Sequence, residues 1–144
     1  MISTPNPRVG IAVFIFREGK FLMLKRKGSH GSGTWSVPGG HLEFGESFED
    51  TVRRETLEET VLSVRNIRFG AVTNDHFEAE QKHYVTVWMV SDYESGEASI
   101  MEPEKCDELG WFDFDTLPSP LFLPWNQLLN SEFLEGIKKQ VNLD

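Results

Sequence analysis

Apolar positions arrive along this chain in two rhythms. "VGIAVFIF" (Val9 to Phe16) is continuous, β-branched and aromatic, the pattern of a strand buried on both faces. "REGK" supplies a turn, and "FLMLKRK" (Phe21 to Lys27) predicts the returning strand of a hairpin. After the flexible "GSHGSG", "TWSVPGG" (Thr34 to Gly40) predicts a short strand ending in a Pro-Gly-Gly turn. The rhythm then changes. Ser47 is a fitting N-cap with Asp50 three residues on, and nothing from Phe48 to Thr60 breaks a helix. "VLSVRNIRFGAVTN" (Val61 to Asn74) and "HYVTVWMVSDY" (His83 to Tyr93) predict two strands separated by the polar "DHFEAEQK". An acidic loop (Glu94 to Glu108) leads to one more short strand, "LGWFDF" (Leu109 to Phe114). The tail from Trp125 to Val141 predicts one or two helices, with Leu128, Leu129, Phe133, Leu134 and Ile137 apolar. Met1 to Pro7 is polar with two prolines and is expected to be a loose arm. Strands with one internal and one terminal helical region predict an α/β (α+β) fold, a mixed sheet with helices on its faces.

Composition narrows this picture. At 144 residues, 39% of them hydrophobic, the chain suits one globular domain with a real core. Fourteen basic and 23 acidic residues give a net charge of -9. That sign disfavours nucleic-acid polymers and anionic membranes, whose binding rests on Lys and Arg. It still admits a small phosphorylated substrate if a divalent cation bridges the like charges. Cys106 is the only cysteine, so no intrachain disulfide forms. The run from Val9 to Phe16 is far short of the roughly 20 residues that span a bilayer and lacks the marks of a signal peptide. Cytoplasm is therefore the expected compartment.

The predicted helix carries an electrostatic problem. At about 100° per residue, Glu55 and Glu59 share a narrow sector with Phe48, Thr51 and Val52, and Glu58 lies at its edge. The acids thus fall on the stripe expected to face the protein. Desolvating an unpaired carboxylate costs several kcal/mol, about 3 or more, and clustering worsens it. Protonation relieves the cost, and so does a hard cation such as Mg²⁺, which takes oxygen ligands and commonly bridges carboxylates to phosphates. The helix alone also admits a solvated acidic face in which Arg54 pairs with Glu58 at i+4.

Around that helix the spacing is distinctive. "GHLEFGESFEDTVRRETLEETVL" (Gly40 to Leu62) resembles the Nudix box, G-x(5)-E-x(7)-R-E-U-x-E-E-x-G-U, where U is bulky and apolar. Gly40, Glu46, Arg54, Glu55, Glu58 and Glu59 fall in register. Thr56 stands where an apolar residue is usual, and Val61 replaces the glycine after the helix. A glycine there adopts φ > 0 as a C-cap, which a β-branched residue does only at a cost, so a differently built turn is expected. "PGGHLEFGE", "HYVT", "MEPEKC", the "WF" pair followed by "LP", and "PLF" extend the resemblance. They look like the Nudix nucleotide triphosphate diphosphatases (MutT-like) of eukaryotic cytosol.

The resemblance implies a Nudix α/β/α sandwich with a mixed β-sheet between helices, in one domain over residues 1–144 with its box at 40–62. It implies that Glu55, Glu58 and Glu59 bind metal, one of them doubling as the base that activates water. Arg54 would orient them, Glu46 would anchor the loop or an outer metal, and Gly39 or Gly40 would give a backbone carbonyl to the ion. Glu104 is the candidate further acid, with Glu102 and Glu108 behind it. Phe122 resembles a purine-stacking residue, His41 and Thr86 match pocket-lining positions, and Arg26 with Lys27 forms the basic cluster available to phosphates. Mg²⁺ is the implied cofactor, Mn²⁺ the alternative ion, and a homodimer the implied assembly. The implied reaction is hydrolysis of a nucleoside diphosphate linked to X, foremost a (d)NTP to monophosphate and pyrophosphate. Other diphosphates (a sugar nucleotide, a dinucleotide polyphosphate, a pterin or isoprenoid diphosphate) and a nucleotide-binding module without turnover are the alternatives.

Overall fold

The computed structural model describes residues 6–28 and 30–141; most of the expected N-terminal arm lies outside them. Strands β1 (Arg8–Arg17), β2 (Lys20–Arg26), β3 (Trp35–Ser36), β4 (Gly39–His41), β5 (Ser63–Phe77), β6 (Lys82–Ser95) and β7 (Cys106–Phe112) form one sheet. Helices α1 (Phe48–Thr60), α2 (Pro124–Leu129) and α3 (Leu134–Val141) cover its faces. β1 runs parallel to β6, while the other pairings are antiparallel, so the sheet is mixed as expected.

Alternation along β1 divides the core between two faces. Ile11, Val13 and Ile15 pack with Val52 of α1, Leu62, Val64 and Met89. Ala12, Phe14 and Phe16 pack with Phe21, Trp88, Trp125 and Leu128 of α2, and Ile137 and Val141 of α3. Phe14 is wholly buried and meets Phe21 edge-on at 5.0 Å between ring centres. Burying such a ring contributes about 2–3 kcal/mol before any gain from its aromatic contacts.

The sheet opens where the site lies. β1 and β2 pair only at their hairpin end, Phe16 with Phe21 and Arg17 with Lys20. Beyond it, β4 takes the place of β2 along β1, and β3 takes the place of β1 along β2. The chain from Trp35 to His41 therefore crosses a splay between the two strands. This corrects the expected Pro-Gly-Gly turn: Gly39 and Gly40 are strand residues, paired with Ala12 and Ile11. A Cβ on Gly39 would lie 2.1 Å from the carbonyl oxygen of Ile11, so only glycine permits this approach.

α1 follows its sequence closely. Ser47 caps it, and the reciprocal Ser47–Asp50 capping box forms at 3.0 Å in both directions. Thr51, Val52, Thr56 and Thr60 are its buried face. Phe48 is not part of that face: it is 41% exposed. Val61 also departs from expectation. It takes the left-handed conformation, φ 71°, and its N–H bonds the carbonyl of Leu57, so the C-cap is built as a glycine would build it.

Other boundaries shift. β5 runs on through Asp75, His76 and Phe77, so half of the segment expected to be polar linker is strand, turned by a single 3-10 turn at Glu78–Glu80. The pairing of Asn74 with Val85 and of His76 with His83 extends the hairpin past the core. The last strand begins at Cys106, earlier than Leu109. No helix among the described residues is long and apolar enough to cross a membrane.

Candidate active site

At the mouth of the splay lies a cleft of about 540 Å³. One end is acidic and the other aromatic. The acidic end is made where α1 passes beside β4. Gly39 N–H donates to Glu59 Oε1 at 3.0 Å. The neighbouring Gly40 leaves room for Glu55: a Cβ there would lie 2.3 Å from the Glu55 carboxyl carbon. Two carboxylates one helical turn apart thus close on one Gly-Gly dipeptide.

Arg54 organises this end. Its Nε donates to Glu46 Oε2 at 2.7 Å and its Nη2 to Glu46 Oε1 at 2.9 Å, a bidentate pair. Nη1 donates to Glu55 Oε1 at 2.7 Å, and Nη2 to the His41 carbonyl at 3.1 Å. Glu46 also accepts from Thr51 Oγ1 at 2.8 Å and from the Glu43 N–H at 3.0 Å, which ties the loop before α1 to its first turn. The hydrogen bonds from Arg54 hold Glu46 down at about 2. The i+4 partner Glu58 is a looser 3.6 Å from Arg54 and half exposed.

Glu55 and Glu59 shift the other way. Burial raises Glu55 despite Arg54, with Glu58 and Glu102 adding to the rise. Burial pushes Glu59 up to about 8, reinforced by Glu55 and Glu102 and only partly offset by Gly39 N–H and Arg26. Both carboxyls are therefore costly to ionise where they lie.

The late acidic loop is tied to the end of α1: Ser99 N–H bonds the Thr60 carbonyl at 3.2 Å and Met101 N–H that of Glu59 at 3.3 Å. This brings Glu102 within electrostatic reach of both glutamates, a role the sequence reading gave first to Glu104. Glu104 also lines the cleft. Glu108 does not, and lies 4.0 Å from Lys25 instead. Glu58 likewise stays outside the lining and points to solvent, contrary to its expected place on the inward stripe.

The aromatic end is pinned by backbone. Trp35 N–H bonds the Pro120 carbonyl and Phe122 N–H the Trp35 carbonyl, each at 2.9 Å, which lays Phe122 beside β3. Arg26 stacks over the Phe122 ring with Cζ 3.9 Å from its centre, and burial lowers its pKa. Phe77 lies 5.6 Å from Phe122. Tyr84 stacks on His41 at 5.5 Å, and the two share a 3.0 Å hydrogen bond between Tyr84 Oη and His41 Nε2. His30, from the loop after β2, packs among Phe77, Tyr84 and Phe122 and bonds Glu80 through Nδ1. Burial lowers the pKa of His30 and of His41.

Behind this end, Thr86 lines the cleft and donates to Asp75 Oδ2 at 2.7 Å. Thr73 Oγ1 donates to the same oxygen at 2.9 Å and receives the Trp88 Nε1 proton at 2.9 Å. Burial pushes the Asp75 carboxyl up, and the two hydroxyls pull it back.

Of the residues expected at the site, the structure brings together Glu55, Glu59, Gly39, Gly40, Arg26, His41, Thr86, Phe122 and Glu104. Arg54 and Glu46 stand just behind Glu55. Tyr84, Phe77 and His30 were missed. Period-two alternation through Tyr84, Thr86 and Trp88 carried a signal for the first, but nothing local placed His30.

The carboxylates do not form a preassembled metal cage. Among the described residues, no three Asp, Glu, His or Cys side chains gather at ligating distance. The donor set nevertheless fits a hard divalent cation. Glu55 and Glu59 present oxygens, are desolvated by burial and share one glycine-lined strand end that a side chain would fill.

Comparison with known proteins agrees with this geometry. The NUDIX domain model matches residues 6–133, and the chain belongs to the Nudix family. It is similar to the MutT NUDIX hydrolase from Burkholderia pseudomallei, at 32% identity over 94% of this chain and 98% of that one, with a TM-score of 0.78. Among curated proteins it is 34% identical to the NAD-capped RNA hydrolase NudC of Erwinia tasmaniensis over 78% of this chain. It is 38% identical to that of Actinobacillus succinogenes over 76%. The chain spans about two fifths of the length of those curated relatives. An ADP-ribose pyrophosphatase from Streptococcus suis is similar at 26% identity and a TM-score of 0.64, over 96% of this chain and 89% of that one. The chain thus has the Nudix fold, with the expected α/β/α sandwich. These relatives are bacterial, so the narrower likeness to eukaryotic triphosphate diphosphatases gives way to the family as a whole.

Proposed function

We propose that this protein is a divalent-metal-dependent pyrophosphohydrolase that cleaves a nucleoside diphosphate linked to X. The observation that carries this reading is the meeting of Glu55 and Glu59, both desolvated, at Gly39–Gly40, at one end of a cleft whose other end is aromatic. Glu55 and Glu59 would hold a Mg²⁺ ion, or Mn²⁺ in its place, with a Gly39 or Gly40 carbonyl and Glu102 or Glu104 as further oxygens. When bound, the ion screens the diphosphate and makes a bound water more acidic. Arg54 keeps Glu55 in position by the Nη1 hydrogen bond and is itself fixed by Glu46. One of the glutamates at this end would also receive the proton of the attacking water. Glu58, at the solvent edge, would join only as an outer ligand. Phe122, Tyr84 and Phe77 offer faces for a nucleobase, and Arg26 reaches the cleft as a cation for phosphate.

A nucleoside triphosphate, giving monophosphate and pyrophosphate, is the first substrate in this reading, supported by the likeness to a MutT hydrolase over nearly its whole length. The NudC relatives support a second: a dinucleotide diphosphate such as NAD, free or capping RNA. The acidic balance of the chain weighs against long polynucleotides, yet those relatives put a capped RNA among the substrates to try. Purified protein with Mg²⁺ is incubated with (d)NTPs, NAD, ADP-ribose and an NAD-capped oligonucleotide, and the products are resolved. Turnover of at least one, abolished in Glu55→Gln and by chelation, is expected. No release from any member would reject the reading in favour of a binding module.

A further inference from the structure

Asp75 is 1% exposed, and its Oδ1 has no hydrogen-bond partner among the described residues. A buried acid with one oxygen unpaired is costly, so its other oxygen merits scrutiny. That oxygen, Oδ2, accepts from Thr86 Oγ1 at 2.7 Å and Thr73 Oγ1 at 2.9 Å. Thr73 and Thr86 are register partners across β5 and β6.

Each hydroxyl owns a single proton. Thr73 receives the indole proton of Trp88, a group that only donates, and gives its own proton to Asp75. Thr86 gives its proton to Asp75 as well. An ionised carboxylate only accepts, so with Asp75 ionised both hydroxyls are held as donors to Oδ2. In that state Thr86 has spent its one proton, and only lone pairs are left for the cleft. The flank of that hydroxyl is kept bare by Gly10, where even a Cβ would stand 3.9 Å from Thr86 Oγ1. Tyr84, Phe77, Trp88 and Phe122 line the same end of the cleft.

We propose that Asp75 fixes Thr86 as an obligate hydrogen-bond acceptor in the cleft, and that this selects a nucleobase presenting an exocyclic amino group there. This rests on the nucleotide reading of the site. Thr86 touches the base, and Asp75 is a positioning residue acting through it. A carbonyl oxygen of a base at the same place would meet lone pairs with lone pairs and be rejected.

Binding of monophosphates tests this without turnover. Calorimetry is run on matched pairs: AMP against purine riboside 5′-monophosphate, GMP against IMP, and CMP against UMP. In at least one pair the amino-bearing member is expected to bind about tenfold tighter to wild type. Thr86→Val and Asp75→Asn should bring that ratio to within about twofold, since the first removes the lone pairs and the second lets an amide donate to Thr86. Thr86→Ser keeps the hydroxyl and should keep the preference. Equal binding in every wild-type pair, no binding of any monophosphate, or a ratio unmoved in Thr86→Val overturns the proposal. If Asp75→Asn does not fold, the contrast between Thr86→Val and Thr86→Ser decides. Absence of turnover on the nucleotide panel would reject the hydrolase reading and leave these binding ratios to decide this one.

Discussion

The carboxylate of Glu55 occupies the space in which a side chain on Gly40 would lie, with the Glu55 carboxyl carbon 2.3 Å from where a Cβ would be. The two residues stand fifteen apart in sequence on different elements, and each limits the other. A methyl at Gly40 must push Glu55 out of the cleft, and backbone on β4 cannot yield because it is paired to β1. Gly40→Ala is expected to lower kcat/KM by about 100-fold, the usual scale for a misplacement near 1 Å. Thermal unfolding should change little. Activity within threefold of wild type would remove Glu55 from the reaction.

Arg54 is expected to resist its conservative replacement. A lysine supplies one point charge where the guanidinium reaches Glu46 twice, Glu55 once and the His41 carbonyl. Arg54→Lys should cost at least about tenfold in kcat. It should also release Glu46, whose carboxyl is held at about 2 against an ordinary value of 4.5. The folded pKa is depressed, so the stability that Glu46 contributes is complete above 4.5 and lost as pH falls towards 2. Carboxyl-carbon NMR titration should show Glu46 moving up towards the ordinary range in the variant. An unmoved titration would mean that Arg54 is not what holds it.

Glu59 carries the opposite sign. Its folded pKa is about 8 against 4.5, so between those values the folded chain keeps a proton that the unfolded chain has released. Stability in chelator should therefore fall as pH rises from 4.5 to 8. Glu59→Gln, with nothing to ionise, should flatten that slope. Addition of Mg²⁺ should raise Tm at pH 8 and release protons at pH 7 in weak buffer, because a ligating carboxylate must be ionised. Equal proton release from the Gln variant would contradict the assignment.

Thr56 is wholly buried, and its Oγ1 has no hydrogen-bond partner among the described residues. Valine has nearly the same shape without the hydroxyl. Thr56→Val is expected to stabilise the fold by about 1 kcal/mol, the order of the desolvation that it avoids. Urea unfolding measures this, and a loss of stability would imply a hidden partner for the hydroxyl.

Val61 keeps a left-handed φ of 71° while its side chain is 41% exposed, so it gains little packing there. Left-handed backbone costs a residue with a Cβ about 1–2 kcal/mol, of which glycine returns part through its looser unfolded state. Val61→Gly should be more stable by about 0.5–1 kcal/mol, with turnover unchanged. Urea midpoints and kcat check both halves.

Much of this was legible along the chain. The continuous apolar run of β1 is buried on both faces, the Ser47–Asp50 box sets the start of α1, and the spacing from Gly40 to Glu59 carries the Nudix box. Those features are local: they depend on the period of a helix or strand and on caps within a few residues. The same period put Phe48 on the inward stripe and Glu58 at its edge, and both are exposed, because helical period fixes a residue's angle but not what packs against each turn. Glu102 joins Glu104 at the cleft because two hydrogen bonds tie its loop to the last turn of α1. The sequence alone therefore determined most of the elements and the family. Tertiary structure decided the splay between β1 and β2, the threading of Gly39–Gly40 through it, and the hydrogen-bond polarity that Asp75 imposes on Thr86. Each of those joins residues distant in sequence, and such contacts are set by packing between elements and by the number of protons available to share.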